Sequence, residues 1–297
     1  MSSEQPSIAA ATTLPPSRSG FRWRLISSIV LWGVMVAVVF WLPPTALYLF
    51  VNIVLARAVW EFYVICEAKG LRTYKVWGTA GTLALISGSW FIHRRQDVVQ
   101  LSYDFDILIL LVFTLGVFIR QFPQKLNPQG IETMAVTLFG LMYVAWLGNF
   151  ITRINFAAPT GRFFVMYLVV VTKFTDIGAY LVGSTLGRHK MIPRISPNKT
   201  WEGTAGGMLF ALISSLLCVH FLQAELHMNM THGVILGLLL GAAAVVGDLA
   251  ESLIKREAGI KDSSTILPGH GGALDLVDSL LFTAPLLYVY LRLVLQP

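Results

Sequence analysis

Apolar residues occur along this chain in long blocks, separated by short polar segments that hold most of the charged residues. Each block approaches the ~20 residues that an α-helix needs to cross a bilayer. The pattern therefore predicts an all-α, polytopic membrane protein with about nine transmembrane helices. The predicted spans are Leu25–Leu42, Ala46–Cys66, Val76–Phe91, Phe105–Ile119, Ile131–Phe150, Phe163–Val182, Thr204–Leu222, Gly233–Leu253 and Ser279–Leu295.

Composition agrees with a membrane-embedded protein. Hydrophobic residues make up 55% of the 297 residues, only 13% are charged, and the mean hydropathy is +0.68. Soluble domains carry about 25% charged residues, so this chain lacks the polar surface that a soluble protein of its length requires. Residues 1–20 are rich in Ser, Thr, Pro and Ala and are predicted to form a disordered tail. Residues 21–297 are predicted to form a single transmembrane domain.

The positive charges are unevenly divided between the two sides of the predicted membrane. With the N-terminus in the cytoplasm, 15 of the 22 Lys and Arg residues fall in cytoplasmic segments and 4 in external ones. This bias predicts a cytoplasmic N-terminus. The net charge is +6, but the basic residues form no single tail or stripe, which argues against nucleic acid as a partner. The short chain without a targeting presequence favours a bacterial inner membrane.

Two pairs of charged residues fall inside predicted spans, where a charge costs at least ~2.5–3.5 kcal/mol at the bilayer centre. Arg57 and Glu61 are four residues apart in the second span, and this spacing favours an internal salt bridge. Lys173 and Asp176 are three residues apart in the sixth span. They either neutralise one another against neighbouring helices or, with Tyr180 one turn later, line a polar cavity.

The polar segment after the sixth span combines cations with hydroxyl groups just before another helix. Its candidate ligand-binding residues are Arg188, Lys190, Arg194, Ser196, Pro197, Lys199, Thr200 and Glu202. Cations, hydroxyls and a helix N-terminus together suit an anion such as a phosphate. An ordinary cytoplasmic loop with positive charge is the alternative explanation.

A second polar segment, residues 247–278, is denser in charge. Asp248, Ser252 and Lys255 have the spacing that puts them on one face of a helix. Asp275 and Asp278 are three residues apart at the start of the last span, so their carboxylates converge on one site. A negative charge at Asp275 is also favoured by the positive end of the helix dipole.

Three carboxylates at a membrane edge, those of Asp248, Asp275 and Asp278, repel one another unless a cation neutralises them. Mg²⁺ prefers oxygen ligands and usually bridges to substrate phosphates. Further phosphate oxygens are expected to contact Lys255, Arg256 and Lys261. His270 lies between glycines, where the backbone can approach a ligand closely. The segment therefore predicts a phosphate-handling site with bound cations.

The same segment closely resembles the C-terminal signature of the phosphatidate cytidylyltransferase family, the CDP-diacylglycerol synthases. The matching residues, all at the family's spacing, are Ser252, Lys255, Arg256, Lys261, Asp262, Pro268, Gly269, His270, Gly271, Gly272, Asp275 and Asp278. A second shared segment contains Asp176, Ala179, Tyr180, Gly183, Gly187, Ser196, Pro197, Lys199, Thr200, Glu202 and Gly203. The resemblance runs from Lys173 to the C-terminus.

The resemblance implies transfer of a cytidylyl group from CTP to phosphatidic acid in the membrane, with the site facing the cytoplasm and the catalytic part at about residues 170–280. The implied catalytic residues are Asp248, Lys255, Arg256, His270, Asp275 and Asp278, of which the three aspartates are the metal ligands. The implied substrate-binding residues are Asp176, Tyr180, Ser196, Pro197, Lys199, Thr200, Glu202, Ser252, Lys261, Asp262, Gly271 and Gly272. Mg²⁺ is the expected cofactor, with a second cation, divalent or K⁺, also compatible. A homodimer is plausible, but no sequence motif decides it.

The chain departs from the family pattern at one site position. Leu276 stands where the family carries Arg directly after the first aspartate of its last motif, and Ala273 replaces a larger aliphatic residue. Three alternatives stay open on the sequence: a CTP-dependent enzyme for another lipid acceptor, a paralogue impaired by Leu276, and an ion-coupled transporter.

Overall fold

The computed structural model of the chain describes residues 30, 32–94, 99–125, 127–260 and 271–295. Within them the chain is almost entirely helical, and the only sheet is a two-stranded antiparallel hairpin. The all-α prediction is confirmed. The tail predicted over residues 1–20 lies outside the described residues.

Nine main helices lie in the described part of the chain, and each overlaps one predicted span. They are α1 (Trp32–Trp41), α2 (Pro44–Ala68), α3 (Lys75–Arg94), α4 (Val99–Gln121), α5 (Gly130–Ala157), α6 (Gly161–Leu186), α7 (Trp201–Phe221), α8 (Met230–Glu257) and α9 (Ala273–Leu295). Wider π-helical turns end α1 at Ala37–Trp41, interrupt α5 at Leu141–Trp146 and end α9 at Leu291–Leu295. A four-residue helical turn, Gln223–Leu226, precedes α8.

Six of these helices are long and apolar enough to cross a membrane: α2, α5, α6, α7, α8 and α9. Within the described residues α1 is shorter, and α3 and α4 do not reach the same combination of length, hydropathy and low charge. The protein is thus a helical integral membrane protein. The count of nine spans remains a prediction.

Close helix packing forms the centre of the bundle. Helix α8 packs against α6, α7 and α9, and α9 packs in turn against α2 and α5. The approach of α6 to α7 depends on glycine. A Cβ atom added at Gly178 would lie 2.5 Å from Phe210 Cβ and 2.9 Å from the carbonyl oxygen of Gly206. Small residues allow helix backbones to pack closely in membranes, where van der Waals contact drives association.

The polar segment between α6 and α7 folds as a hairpin, where the sequence predicts a loop. Strand β1 (Lys190–Ile192) pairs with strand β2 (Ser196–Thr200). This pairing satisfies backbone groups that lie outside any helix. Thr200 then caps α7, because its Oγ1 accepts a hydrogen bond from Gly203 N at 3.1 Å. Ile195, in the turn of the hairpin, accepts a hydrogen bond from Arg256 Nε near the end of α8 at 3.2 Å.

A buried ion pair joins α4 to α5 at the opposite end of the bundle. Arg153 donates a hydrogen bond through Nη2 to Asp106 Oδ2, and both side chains are buried. The sequence ends the fifth span at Phe150 and leaves Arg153 outside it. The structure continues α5 to Ala157, because the buried carboxylate of Asp106 gives the arginine a partner inside the protein.

Replacing Gly178 by alanine is expected to destabilise the bundle, because the new methyl group forces α6 and α7 apart. Overpacking of this kind costs about 1–3 kcal/mol. The midpoint of thermal unfolding in detergent measures the effect. Gly33→Ala is the matched control, since a Cβ at Gly33 meets nothing within 4 Å. Equal midpoints for the two variants would contradict the close approach described.

Candidate active site

Lys255 lies at the centre of a charged network where α8 meets α9. Its Nζ is 2.7 Å from Glu251 Oε2 and 2.6 Å from Asp275 Oδ1. Asp275 Oδ2 accepts a hydrogen bond from the backbone N of Gly272 at 2.7 Å, at the first turn of α9. One lysine therefore forms ion pairs with two carboxylates, and Asp275 also caps the N-terminus of its own helix.

A second set of carboxylates lies beside this network. Asp248, Glu251 and Asp278, called here the carboxylate group, each offer an oxygen within 4.8 Å of the others. Glu251 and Asp278 are buried, and Glu251 Oε1 has no hydrogen-bond partner among the described residues. Carboxylates so close repel one another, and an all-oxygen donor set with an unpartnered buried oxygen suits a hard divalent cation. The residues present therefore fit Mg²⁺.

The carboxylate group differs in one member from the predicted metal site. Asp248 and Asp278 lie in it as predicted, whereas Asp275 contacts Lys255 and Gly272, so its role as a ligand stays a prediction. Glu251 is the residue that sequence reasoning missed. The signal was present, because Glu251 lies three residues after Asp248 and four before Lys255 on one helical face.

A polar cleft of about 490 Å³ opens beside Asp248, between α6, α8 and the hairpin. Lys199 Nζ lies there at 2.7 Å from Asp248 Oδ2. The polar residues that line the cleft are Thr175, Asp176, Tyr180, Ser184, Lys190, Ser196, Asn198, Lys199, Thr200, Thr204 and Asp248. The structure thus brings together seven of the candidate residues, from the sixth span and both polar segments, and adds Asn198 from the hairpin.

An apolar cavity of about 370 Å³ lies on the other side of Asp176, among α1, α2, α5, α6 and α9. Its apolar lining comes mainly from α2 and α9, including Phe50, Val54 and Leu280. Its charged residues are Lys173, Asp176 and Asp275. Asp176 lines both the cavity and the cleft, and Lys173 Nζ lies 3.2 Å from Asp176 Oδ2. The predicted Lys173–Asp176 ion pair is therefore formed, and both of its residues line the apolar cavity.

Leu276 lines the apolar cavity next to Asp275. Its side chain is apolar, like the leucine, valine and phenylalanine side chains that line the same cavity. Leucine at this position therefore makes the cavity wall apolar beside the charged residues.

Several predicted residues support the site without lining either space. Glu202 accepts hydrogen bonds from the backbone N atoms of Arg188 and His189, at 3.1 Å and 3.2 Å through Oε2. This contact fixes the start of the hairpin. Ser252 Oγ lies 3.4 Å from Asp248 Oδ1, and Pro197 lies exposed within β2. The predicted site residues Lys261, Asp262 and His270 lie outside the described residues.

Comparison with known proteins identifies the family of the chain. A model of the cytidylyltransferase family matches residues 22–294. The chain belongs to the cytidylyltransferase family. The match extends through the helices that precede the predicted motif region, so the family relationship covers the whole membrane domain.

Individual relatives carry more specific names. The phosphatidate cytidylyltransferase of Bacillus subtilis (strain 168) is 33% identical over 270 residues, which cover 89% of this chain and 97% of that protein. The phosphatidate cytidylyltransferase of Haemophilus influenzae is 42% identical over 127 residues, which cover 42% of this chain and 44% of that protein. The uncharacterized protein YnbB of Escherichia coli (strain K12) is 36% identical over 198 residues, 63% of this chain and 64% of that protein. Two of these three matches therefore span less than two thirds of the relative.

Gly271→Ala is expected to disturb the first turn of α9. Gly271 has a φ of +82°, and a Cβ there would lie 2.5 Å from Asp275 Oδ2. The substitution therefore adds a clash with the capping carboxylate to the backbone strain of a positive φ, which alone costs of order 1 kcal/mol. Thermal unfolding in detergent measures the combined effect.

Gly259→Ala is the matched control, because Gly259 has a φ of +71° and a Cβ there meets nothing within 4 Å. It carries the strain without the clash. A smaller loss of stability for Gly271→Ala than for Gly259→Ala would contradict the described position of Asp275.

Proposed function

We propose that this protein transfers a cytidylyl group from CTP to phosphatidic acid, which yields CDP-diacylglycerol and pyrophosphate. One structural observation carries the proposal: an apolar cavity and a polar, lysine-lined cleft share Asp176 as a wall, next to the carboxylate group. The reaction joins a lipid to a water-soluble nucleotide, and these two spaces suit the two substrates. The names of the Bacillus subtilis and Haemophilus influenzae relatives support the same activity.

In this proposal the acyl chains of phosphatidic acid occupy the apolar cavity and its phosphate lies at the charged end, near Lys173. CTP occupies the polar cleft, where Lys190 and Lys199 are the cations available to its phosphates. Ser196 and Thr200 offer hydroxyl groups in the same cleft. Cations and hydroxyls of this kind recognise phosphate oxygens through charge-assisted hydrogen bonds.

The proposed reaction needs positioning more than covalent participation by the protein. A phosphate oxygen of the lipid forms a bond to the α-phosphorus of CTP, and the bond from that phosphorus to the bridging oxygen breaks. Pyrophosphate leaves with the electron pair. Holding both phosphates in line converts a two-molecule encounter into a reaction within one complex. Lys173 and Lys199, which contact Asp176 and Asp248 in the structure, are suited to hold one phosphate each.

We propose that Asp248, Glu251 and Asp278 hold Mg²⁺, and that a second cation, divalent or K⁺, is compatible with the site. A divalent cation supplies charge neutralisation for phosphate oxygens during phosphoryl-type transfer. Lys255 contacts both Glu251 and Asp275 but carries a single positive charge, so the carboxylates retain negative charge for a cation. Asp275 remains a predicted ligand.

We further propose that the site faces the cytoplasm of a bacterium, from its inner membrane. The excess of Lys and Arg in the segments on the side of the hairpin supports this orientation. CTP is a cytoplasmic nucleotide, so a site on that side has access to it.

The purified, detergent-solubilised protein is expected to convert radiolabelled CTP and phosphatidic acid into a labelled lipid when Mg²⁺ is present, and to stop when EDTA is added. Parallel reactions with a polyprenyl alcohol and with a diether lipid phosphate test the acceptor. Labelling of either of these instead of phosphatidic acid would replace the proposed substrate. Binding of CTP without any labelled lipid would indicate an impaired paralogue.

Asp278→Asn is expected to lower the rate about 100-fold or more, because it removes a charged ligand of the cation that stabilises the transferring phosphate. The rate of CDP-lipid formation at saturating substrates measures this. Glu225→Gln, in the turn Gln223–Leu226 at the other end of α7, is the control and is expected to keep the rate. Full activity of Asp278→Asn would refute the assigned metal site.

A further inference from the structure

The N-terminus of α9 is held by a carboxylate from a distant part of the chain. Glu61 lies in α2, and its Oε2 accepts a hydrogen bond from the backbone N of Leu274 at 2.9 Å. Both residues are buried, with Glu61 2% exposed and Leu274 fully covered. The two residues are 213 positions apart in the chain, so this contact is tertiary and not a local capping motif.

This contact satisfies a group that has no other partner within the helix. The first backbone N–H groups of an α-helix cannot bond inside it, and a buried N–H without a partner is costly. Asp275 accepts from Gly272, and Glu61 accepts from Leu274. The positive end of the helix dipole also favours the carboxylate. Arg57 supplies the counter-charge, with its Nε 3.1 Å from Glu61 Oε1.

The first turn of α9, which Glu61 and Asp275 cap, lies next to the carboxylate group. Asp278 comes four residues after Leu274 on α9, one helical turn away, and its partners Asp248 and Glu251 belong to α8. The distance between them therefore depends on where α9 sits. Two polar contacts hold its first turn: the Lys255–Asp275 ion pair ties α9 to α8, and Glu61 ties it to α2.

We propose that Glu61 is a positioning residue, which holds Asp278 at the correct distance from Asp248 and Glu251 for cation binding. It touches neither substrate cavity and acts through the backbone of Leu274. The inference rests on the proposed function only in taking the carboxylate group as the cation site.

The test compares Glu61→Ala, Glu61→Gln and wild type as full-length proteins in detergent. The readout is the Mn²⁺ concentration that gives half of the maximal rise in unfolding temperature, with CDP-lipid formation measured beside it. Glu61→Ala is expected to raise this concentration about tenfold, as losses in the shell behind metal ligands do. Glu61→Gln keeps an oxygen for Leu274 N and is expected to restore the value to within about threefold of wild type.

Asp106→Asn is the control, because it also removes a buried carboxylate that pairs with an arginine, but at the other end of the bundle. It is expected to lower the unfolding temperature and to leave the half-saturating Mn²⁺ concentration unchanged. If Glu61→Ala does not fold, Glu61→Asp, whose carboxylate is one methylene shorter, is expected to shift the Mn²⁺ response in the same direction.

Three results would overturn the proposal: a wild-type Mn²⁺ response in Glu61→Ala (or in Glu61→Asp, where the alanine variant does not fold), an equal shift in Asp106→Asn, or a wild-type protein that Mn²⁺ does not stabilise. The proposed function fails separately. A wild type that forms no CDP-lipid, but whose Mn²⁺ response depends on Glu61 as described, supports the positioning role and rejects the activity.

Discussion

Charge that is buried in a membrane protein must be balanced by nearby charge, and this requirement shapes the polar end of the bundle. Lys255 pairs with both Glu251 and Asp275, and Arg57 pairs with Glu61. The Lys255–Asp275 pair ties α8 to α9, and Glu61 ties α2 to α9 through the backbone N of Leu274. Pairing is needed because an unpaired buried ion costs several kcal/mol. The carboxylate group can therefore exist inside the protein only while the cations around it keep their places.

In the proposed function the site also has to meet two opposite solvent preferences. An acyl chain requires apolar surroundings, whereas a nucleotide triphosphate requires cations and hydrogen-bond donors. Helix α6 separates an apolar cavity from a polar cleft, so each substrate has a space of its own polarity. Asp176 of α6 lines both spaces, and Lys173 lines the apolar cavity. Helix α6, which divides the two spaces, packs closely on α7 through Gly178.

The sequence predicted the parts of this arrangement that depend on local spacing. The nine apolar blocks became nine helices in the described residues, and the pairs Arg57–Glu61 and Lys173–Asp176 formed as their spacing indicated. Contacts between distant residues were out of reach. Nothing in the spacing of α2 or α9 indicates that Glu61 caps Leu274, or that Leu276 lines a cavity with residues of α2. Glu251 was within reach but was overlooked beside its aspartate neighbours.

In the proposed function, the apolar cavity among α1, α2, α5, α6 and α9 determines which concentration of each substrate governs the rate. A ligand that enters from the bilayer is available in proportion to its fraction of the surrounding lipid, and not to its amount in solution. CTP, by contrast, is available in proportion to its molar concentration. The rate of turnover thus depends on the surface concentration of the lipid and on the bulk concentration of CTP. Adding inert lipid or detergent would slow the enzyme by surface dilution, even with every component present in the same total amount.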